Sequence, residues 1–481
     1  MVANDTQLSR PLVRFGRRQS RGVLLGFSGL RLLAIGGALG IFVLAMFTLG
    51  GVGLAVSSPV WGVLLGVAFV RWNGEPLADG LPTAAHWGAR SATKQTRYFV
   101  RATGPRPVGT MALPGDAAAL RFHVDDPSGT AMIHDPHRRT LSAVVRVSHP
   151  AYVLLSPDDQ QRRVDAWSRV LAGLAATGSC AGVQILESTL PDPGHGVREW
   201  WSTHATPGPS WPTEQYAKLM EQAAPASYTH RTLIVLTLDL RRAAKAIRDA
   251  GRGIAGAAHV LRGDMNNCAA SLRAADLRTD GWLGPRELAA VIRETYDPQI
   301  DVAESSATLA TAGPVAIDEH WDYLRHDSAY SSVLWISEWP RVDVAPHFLH
   351  SLVFLQGVRK TISIVAKPLG TGEALRSIRK EKVEYLTDAS QNARIGKITD
   401  LSAEQEYADV LARERALISG HADLRFSGFV VVTARTRDEL SAAVSATERA
   451  ATQCGCETRV LAGQQAQAFT VAGLPLGRTV H

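Results

Sequence analysis

The stretch "LLAIGGALGIFVLAMFTLGGVGLAVSSPVWGVLLGVAFV" occupies residues 32–70 and contains no charged side chain in its 39 positions. A membrane-spanning helix needs about 17–25 predominantly apolar residues, so this stretch is too long for one span and predicts two short ones. Gly50 and Gly51 lie at its middle and mark a turn. The sequence therefore predicts a transmembrane helical hairpin, with spans at about 32–49 and 53–70.

Glycines recur at intervals of four in both predicted spans, at Gly36 and Gly40 and again at Gly62 and Gly66. Small residues at this spacing let helix backbones approach each other closely. The pattern predicts that the hairpin packs on itself or on a partner within the lipid bilayer.

Arginine flanks the apolar stretch on both sides, at Arg31 and Arg71. Because basic residues stay on the cytoplasmic side, these membrane-flanking residues predict an inner-membrane protein with two spans and both termini in the cytoplasm. Residues 1–31 carry six arginines and one acid, Asp5, and so hold +5 of the net charge of +6. This distribution indicates a basic juxtamembrane tail rather than a surface that binds nucleic acid. A secretory signal is the alternative, but the apolar stretch is long enough for two spans.

The rest of the chain alternates strand-like and helix-like segments. Apolar strands are predicted at "RTLSAVVRVS" (139–148), "TLIVLTLDL" (232–240) and "LRFSGFVVVTA" (424–434). Ser156 followed by Pro157 predicts the start of a helix that runs to about residue 176. These units predict an α+β fold class, in which the hairpin is followed by cytoplasmic two-layer, ferredoxin-like modules.

Changes in hydropathy and in turn-forming residues divide the sequence into parts. In chain order, these are a basic cytoplasmic tail (1–31), the hairpin (32–70), an interfacial helix and linker (71–110), a first α+β module (111–225), a middle α/β region with a helical insertion (226–345), and a C-terminal α+β module with a long helical pair (346–481). The turn-rich sequence Leu-Pro-Leu-Gly-Arg at 474–478 predicts an exit toward a further element.

Motifs that carry chemistry are absent from the sequence. It has no phosphate-binding G-x-x-x-x-G-K-[ST] loop, no H-E-x-x-H, no G-x-S-x-G and no C-x-x-C. The stretch 276–287 resembles a calcium-binding loop, but Arg278 occupies a position that needs an oxygen ligand. Four cysteines scattered through a chain of this length indicate a reducing compartment, and the pair in Cys454-Gly-Cys456 has the spacing of neither a redox motif nor a zinc knuckle. We therefore predict no catalytic residue, no metal ion and no cofactor.

The sequence "WISEWPRVDV" (335–344) is the most unusual stretch of the soluble part. Trp335 and Trp339 are four apart, which on a strand places both on one face. Together with Arg341 and Asp343, they are candidates for contact with a protein partner, because aromatic residues and arginine are enriched at interfaces. The alternative is that both tryptophans belong to the hydrophobic core.

Two regions resemble components of type IV secretion systems. The segment from "HADLRFSGFV" to "LPLGR" resembles the last part of the N-terminal domain of assembly ATPases, at the point where the motor domain follows. The hairpin resembles a two-span inner-membrane subunit that is sometimes fused to that ATPase. Together with "WISEWPRVDV", these features resemble a motor-less family of two-span membrane proteins from actinobacterial conjugative elements.

This resemblance implies a non-enzymatic structural subunit of a conjugation-like type IV secretion system. Its expected partners are the assembly ATPase, the channel subunits and the lipid bilayer, without direct binding of nucleic acid. A membrane-anchored enzyme with an unrecognised active site is one alternative, which a cleft with clustered, strongly shifted titratable groups would favour. An extracytoplasmic binding protein is another, which disulfides would favour.

Overall fold

The computed structural model shows a predominantly apolar helical element followed by one large antiparallel sheet with helices on both faces. It describes residues 13, 15, 27–72, 75–100, 107–148, 152–192, 201–204, 210–223, 227–300, 307–394 and 401–478.

Helix α1 spans Gly29–Phe69 and is long and apolar enough to cross a membrane. Its helical geometry breaks at Gly50, where φ is 56° and ψ is −140°. Contacts join residues before the break to residues after it: Arg31 Nε donates to the carbonyl oxygen of Ala68 at 3.0 Å, and the ring centroids of Phe42 and Trp61 lie 5.8 Å apart. The φ and ψ angles at Gly50 suit glycine, because a side chain would be strained there.

The glycines predicted to make the close helix contact do not make it. A Cβ atom at Gly36, Gly40, Gly62 or Gly66 would meet no atom within 4 Å among the described residues. The close approach is instead at Gly53, where a Cβ atom would lie 2.6 Å from the carbonyl oxygen of Ala45. Within this chain, the glycine spacing did not identify the close contact, because spacing identifies a helix face but not which face meets the neighbour. Packing of these glycines on a partner stays a prediction.

Helix α2 (Leu77–Ala92) connects α1 to the soluble domain. Ser28, just before α1, donates a hydrogen bond to Asp79 at the start of α2. At the other end of α2, Arg90 forms a buried ion pair with Glu319 at 3.0 Å and donates to the carbonyl oxygen of Gly463 at 3.1 Å. The α2 helix is therefore attached both to the apolar element and to the sheet.

The soluble domain alternates helices and strands along the chain. Its further helices are α3 (Pro157–Ala176), α4 (Trp211–Ala223), α5 (Ala244–Asp249), α6 (Gly253–Ala274), α7 (Pro285–Tyr296), α8 (His350–Val353), α9 (Thr371–Arg394), α10 (Leu401–Ile418), α11 (Arg437–Gln453) and α12 (Gln465–Ala472). The strands are β1 (Arg71–Trp72), β2 (Glu75–Pro76), β3 (Arg97–Phe99), β4 (Arg121–Asp125), β5 (Thr130–Asp135), β6 (Thr140–Ser148), β7 (Cys180–Asp192), β8 (Ser227–Asp239), β9 (Arg278–Trp282), β10 (Ala316–Glu319), β11 (Leu324–His326), β12 (Ala329–Glu338), β13 (Arg359–Leu369), β14 (Asp423–Ala434) and β15 (Glu457–Val460).

Thirteen of these strands form one sheet within the described residues, in the order β3-β10-β11-β12-β14-β13-β7-β8-β6-β5-β4, with β15 beside β12 and β9 beside β6. The sheet contains an internal repeat. Strands β9-β6-β8-β7 and β15-β12-β14-β13 have the same order, and each set has helices after its first and third strands in the chain. The two halves meet at the antiparallel pair β7 and β13, from Thr189 opposite Lys360 to Val183 opposite Ala366.

The predicted boundary between 225 and 226 falls between β7 and β8, which pair along most of their length. The first predicted module and the middle region therefore share one sheet. The sequence did not show this, because a strand–helix pattern locates strands but not their pairing across the chain.

Alternate residues of the strands supply opposite faces of the core, as the twofold period of a strand requires. On β8, Leu233 and Val235 belong to a cluster with α7 and α12, whereas Ile234 and Leu236 pack with α3 and α6. In the second half, the corresponding layer lies beneath α8 and α11. Both faces of the central strands are buried, so the register of these strands is firmly specified.

The sequence 474–478, predicted as an exit turn, is instead packed against the sheet. Leu474 and Leu476 are buried, and Arg478 forms a buried ion pair with Asp135 at 3.1 Å. Gln184 on β7 donates to the carbonyl oxygen of Leu474 at 3.1 Å and accepts from the backbone N–H of Gly477 at 3.1 Å. The turn thus holds the C-terminal segment, which follows β15 of the second half, against β5 and β7.

Gly477 has a φ of +67°, and a Cβ atom there would overlap the Thr237 hydroxyl and lie 2.6 Å from the Ser142 hydroxyl. We expect Gly477→Ala to lower the free energy of unfolding by about 2–4 kcal/mol, because backbone strain and overpacking add. Gly178→Ala is the matched control, since Gly178 has a φ of +66° and open space around it. Denaturant unfolding of the detergent-solubilised chain measures both variants. Equal losses would contradict the proposed packing of this turn.

Candidate interaction site

The two predicted partner-binding tryptophans do not share a face. Trp335 lies on β12, packs against the cluster of α7 and α12, and carries the Arg459 guanidinium 5.1 Å above its ring. Trp339 lies just past the end of β12 and packs with the cluster of α8 and α11, on the opposite face. The pairing of β12 with β15 shifts register between Ile336 and Glu338, and the strand then ends, so the twofold alternation is lost.

Trp339 is the centre of an aromatic site. Its ring centroid lies 6.2 Å from that of Phe348 and 5.2 Å from that of Phe426 on β14. Gly428 leaves the space that the indole ring fills, because a Cβ atom there would lie 2.6 Å from the ring. We call Trp339, Phe348 and Phe426 the aromatic site.

The aromatic site is occupied by the chain's own N-terminal tail. The Phe15 ring stacks on Trp339 with centroids 5.1 Å apart and planes at 23°, and lies 5.2 Å from Phe348. Beside it, Val13 and Val344 exchange two backbone hydrogen bonds, of 2.7 and 3.0 Å. Tail residues before α1 thus contact the second half of the sheet, more than 300 residues later in the chain.

The polar members of the predicted site lie at its rim. Arg341 is exposed and forms an ion pair with Glu338, with a 3.0 Å hydrogen bond from its Nε. Asp343 is also exposed and lies next to Val344, which pairs with the tail. Arg31, one of the two membrane-flanking residues, bonds Ala68 and stacks over Phe27 at 4.7 Å, while Arg71 lies on the short strand β1.

A second polar group lies on the β7–β13 junction, where sequence reasoning did not place a site. Lys360 is almost fully buried, and its ammonium group donates to the carbonyl oxygen of Leu355 at 2.8 Å. Burial lowers the pKa of Lys360 to about 8, although Glu187 opposes this shift. Glu187 bonds His230 at 3.2 Å and accepts from Thr232. Lys360 was missed because a lysine at the start of a strand normally indicates an exposed end.

Other residues with coordinating chemistry are not brought together. No cluster of three or more histidine, cysteine, aspartate or glutamate side chains suited to a metal ion occurs in the part of the chain that the structure describes. Cys180, Cys268, Cys454 and Cys456 are buried free thiols. In the calcium-like stretch, Asp276 pairs with Arg163, Asp280 accepts from Ser148, and Glu287 caps α7, which begins at Pro285.

Comparison with known families gives one match. Residues 226–336 match a family model described as "Putative type VII ESX secretion system translocon, EccE". This match spans β8 to β12 and supports a secretion-system membrane-subunit family. It favours a type VII system over the type IV system and the ATPase fusion that the resemblance implied. No curated protein matches the chain.

The buried ammonium group of Lys360 makes stability depend on pH. The pKa of an ordinary lysine is 10.5, against about 8 in this chain. Between these values the unfolded chain holds a proton that the folded chain has released, so the contribution of Lys360 to the unfolding free energy rises with pH. Below pH 8 both states are protonated and the burial penalty is fully present.

We expect Lys360→Met to have a larger free energy of unfolding than the wild type at pH 7. Between pH 8 and 10.5 the wild type should gain about 1–3 kcal/mol relative to the variant, because its folded state releases the Lys360 proton. Chemical denaturation of both chains across this pH range measures the difference in unfolding free energy. Titration of cysteine and tyrosine affects both chains alike and cancels in this difference. A difference that stays constant with pH would show that Lys360 is not a desolvated ammonium group.

Proposed function

We propose that this chain is a non-enzymatic, membrane-anchored structural subunit of a type VII-like secretion translocon. The match of residues 226–336 to the EccE family carries this proposal. The apolar helix α1, with side chains such as Leu33 and Phe47 largely exposed, supplies the membrane anchor. The large sheet supplies a rigid body that other subunits contact.

Within this proposal, α1 crosses the inner membrane twice, and both termini are cytoplasmic. The support is the contact of Phe15 with Trp339, because these residues precede and follow α1 in the chain. A single crossing would place them on opposite sides of the bilayer. The break at Gly50 and the contact between Arg31 and Ala68 fit two antiparallel spans. The arginines of the tail support the assignment of this side to the cytoplasm.

The two halves of the sheet are proposed to be ferredoxin-like modules joined edge to edge. The strand order within each half and the helices after the first and third strands support this assignment. Each half carries an insertion between its second and third strands: α4 in the first half, and the pair α9 and α10 in the second.

The surface that we propose for sister subunits is the helical pair α9 and α10. Lys382 pairs with Glu414 at 2.6 Å, and Tyr385 stacks on Tyr407 with centroids 4.4 Å apart, so the pair is held together. Val383 and Leu386 nevertheless remain 62% and 57% exposed. Exposed apolar side chains on a projecting element are typical of protein interfaces. The partners proposed are subunits of the secretion machinery, with its motor ATPase as one candidate.

A membrane-anchored enzyme is the alternative that a specific observation favours. Three titratable side chains lie near one another, namely Lys360, Glu187 and His230, and burial strongly lowers the pKa of Lys360. However, the Lys360 ammonium group is buried and donates to a backbone carbonyl. Glu187 likewise accepts from neighbouring strand residues. These bonds support a structural role for the group.

Purification of the tagged full chain from its own membranes in mild detergent tests the proposal. We expect the other membrane subunits of its secretion system to co-purify. We further expect the double substitution Val383→Asp and Leu386→Asp to lower their yield at least about tenfold, because charge at an interface core opposes association. Leu154→Asp is the matched control, since Leu154 is 86% exposed and lies elsewhere.

Two results would contradict the proposal. The first is a chain that elutes without any secretion subunit under conditions that preserve the rest of the complex. The second is an equal yield from the helical-pair variant and the Leu154→Asp control, which would exclude this surface as the contact.

A further inference from the structure

The contact between the tail and the aromatic site has the features of a peptide bound to its receptor. Val13 and Val344 form an isolated antiparallel bridge, in which each backbone N–H donates to the carbonyl oxygen of the other, the pairing that begins an added strand. Two residues later, Phe15 inserts among three aromatic rings. Backbone pairing gives the direction of such a ligand, and a pocket for an alternate side chain gives its specificity.

The receptor side does not depend on the tail for its shape. Trp339 and Phe348 pack against the hydrophobic cluster beneath α8 and α11. Phe426 lies on β14, which is paired with β12 and β13. Phe426 belongs to the sheet, and Trp339 and Phe348 pack on its hydrophobic cluster, so we expect the site to remain formed when the tail leaves.

The position of this contact gives it a mechanical consequence. The domain that contains the large sheet is joined to α1 by the short connection between Val70 and α2. The tail supplies a second connection, because thirteen residues (16–28) link Phe15 to α1. Such a segment reaches at most about 45 Å when fully extended. A body held at two points cannot swivel as freely as one held at a single point.

We propose that the aromatic site is a receptor for a short extended peptide with an aromatic anchor, and that the segment around Val13 and Phe15 is its ligand in the same chain. The tail thereby acts as a latch that holds the second half of the sheet close to the membrane. This proposal does not require the secretion role, since it rests on contacts within the chain.

A latch in the same chain competes with free peptide. For a ligand tethered in the same chain, an effective concentration of about 1 mM means that a peptide with a Kd of about 10 μM would bind the latched chain about 100-fold more weakly than a chain without its own ligand. The difference between the two chains is the measured signature of the latch.

The experiment uses a labelled peptide of residues 8–20, "LSRPLVRFGRRQS", and the full chain in detergent micelles, with fluorescence anisotropy as the readout. We expect the peptide to bind the Phe15→Ala chain and to bind the wild-type chain about 100-fold more weakly. The same peptide with Phe15→Ala has identical charge, and we expect it not to bind. Val13→Pro, which removes a backbone donor, is a second way to open the latch if Phe15→Ala does not fold.

The receptor side has its own matched pair. Adding Gly428→Ala to the Phe15→Ala chain displaces Trp339 and should abolish binding, whereas adding Gly370→Ala, where a Cβ atom meets open space, should not. Equal binding of the two peptides would show attraction by charge alone and overturn the proposal. Equal binding to the wild-type and Phe15→Ala chains would also overturn it, because the site would not be occupied by the tail.

Discussion

The stacking of Phe15 on Trp339 joins two parts of the chain that the apolar helix α1 separates in sequence. Any arrangement of α1 in a bilayer has to satisfy this contact. In the topology that we propose, the chain returns to the side from which it entered, and the break at Gly50 is the turn. The bond between Ser28 and Asp79 and that between Arg31 and Ala68 bring the two ends of α1 together in the same way. The orientation that we propose thus follows from contacts outside the apolar region as well as from the charge of the tail.

The domain that carries the aromatic site has two halves that share one sheet. The β7–β13 pair joins them, and the C-terminal segment crosses the junction through Gln184 and Arg478. The bonds to Gln184 and Asp135 hold the end of that segment, from Leu474 to Arg478, and the ion pair with Asp135 is buried.

The sequence predicts local elements well where the signal is local. Ser156 and Pro157 mark the start of α3, with a 3.2 Å cap from Asp159 N–H to Ser156, and the apolar run 424–434 forms β14 almost to the residue. The apolar segment "HFLHSLVFLQ" (347–356) forms only the four-residue helix α8, and its aromatic side chains pack into the aromatic site and against His350.

What the sequence cannot supply is pairing between distant segments. The β7–β13 junction, the burial of Lys360 beside it and the docking of Phe15 all depend on contacts over 170 residues or more. No period or motif in either partner announces them. Residues four apart on a regular strand lie on one face, so the spacing of Trp335 and Trp339 predicted a shared face. That prediction was wrong, because β12 shifts register and ends before Trp339.

Cysteine labelling with a membrane-impermeant maleimide tests the common side of tail and domain most directly. One variant carries Asn4→Cys in the tail and another Ser419→Cys at an exposed site after α10, while the four native thiols are buried. We expect both introduced cysteines to be protected in intact cells and both to react in inverted membrane vesicles. Labelling of one position in intact cells and of the other only in inverted vesicles would place tail and domain on opposite sides and contradict the account.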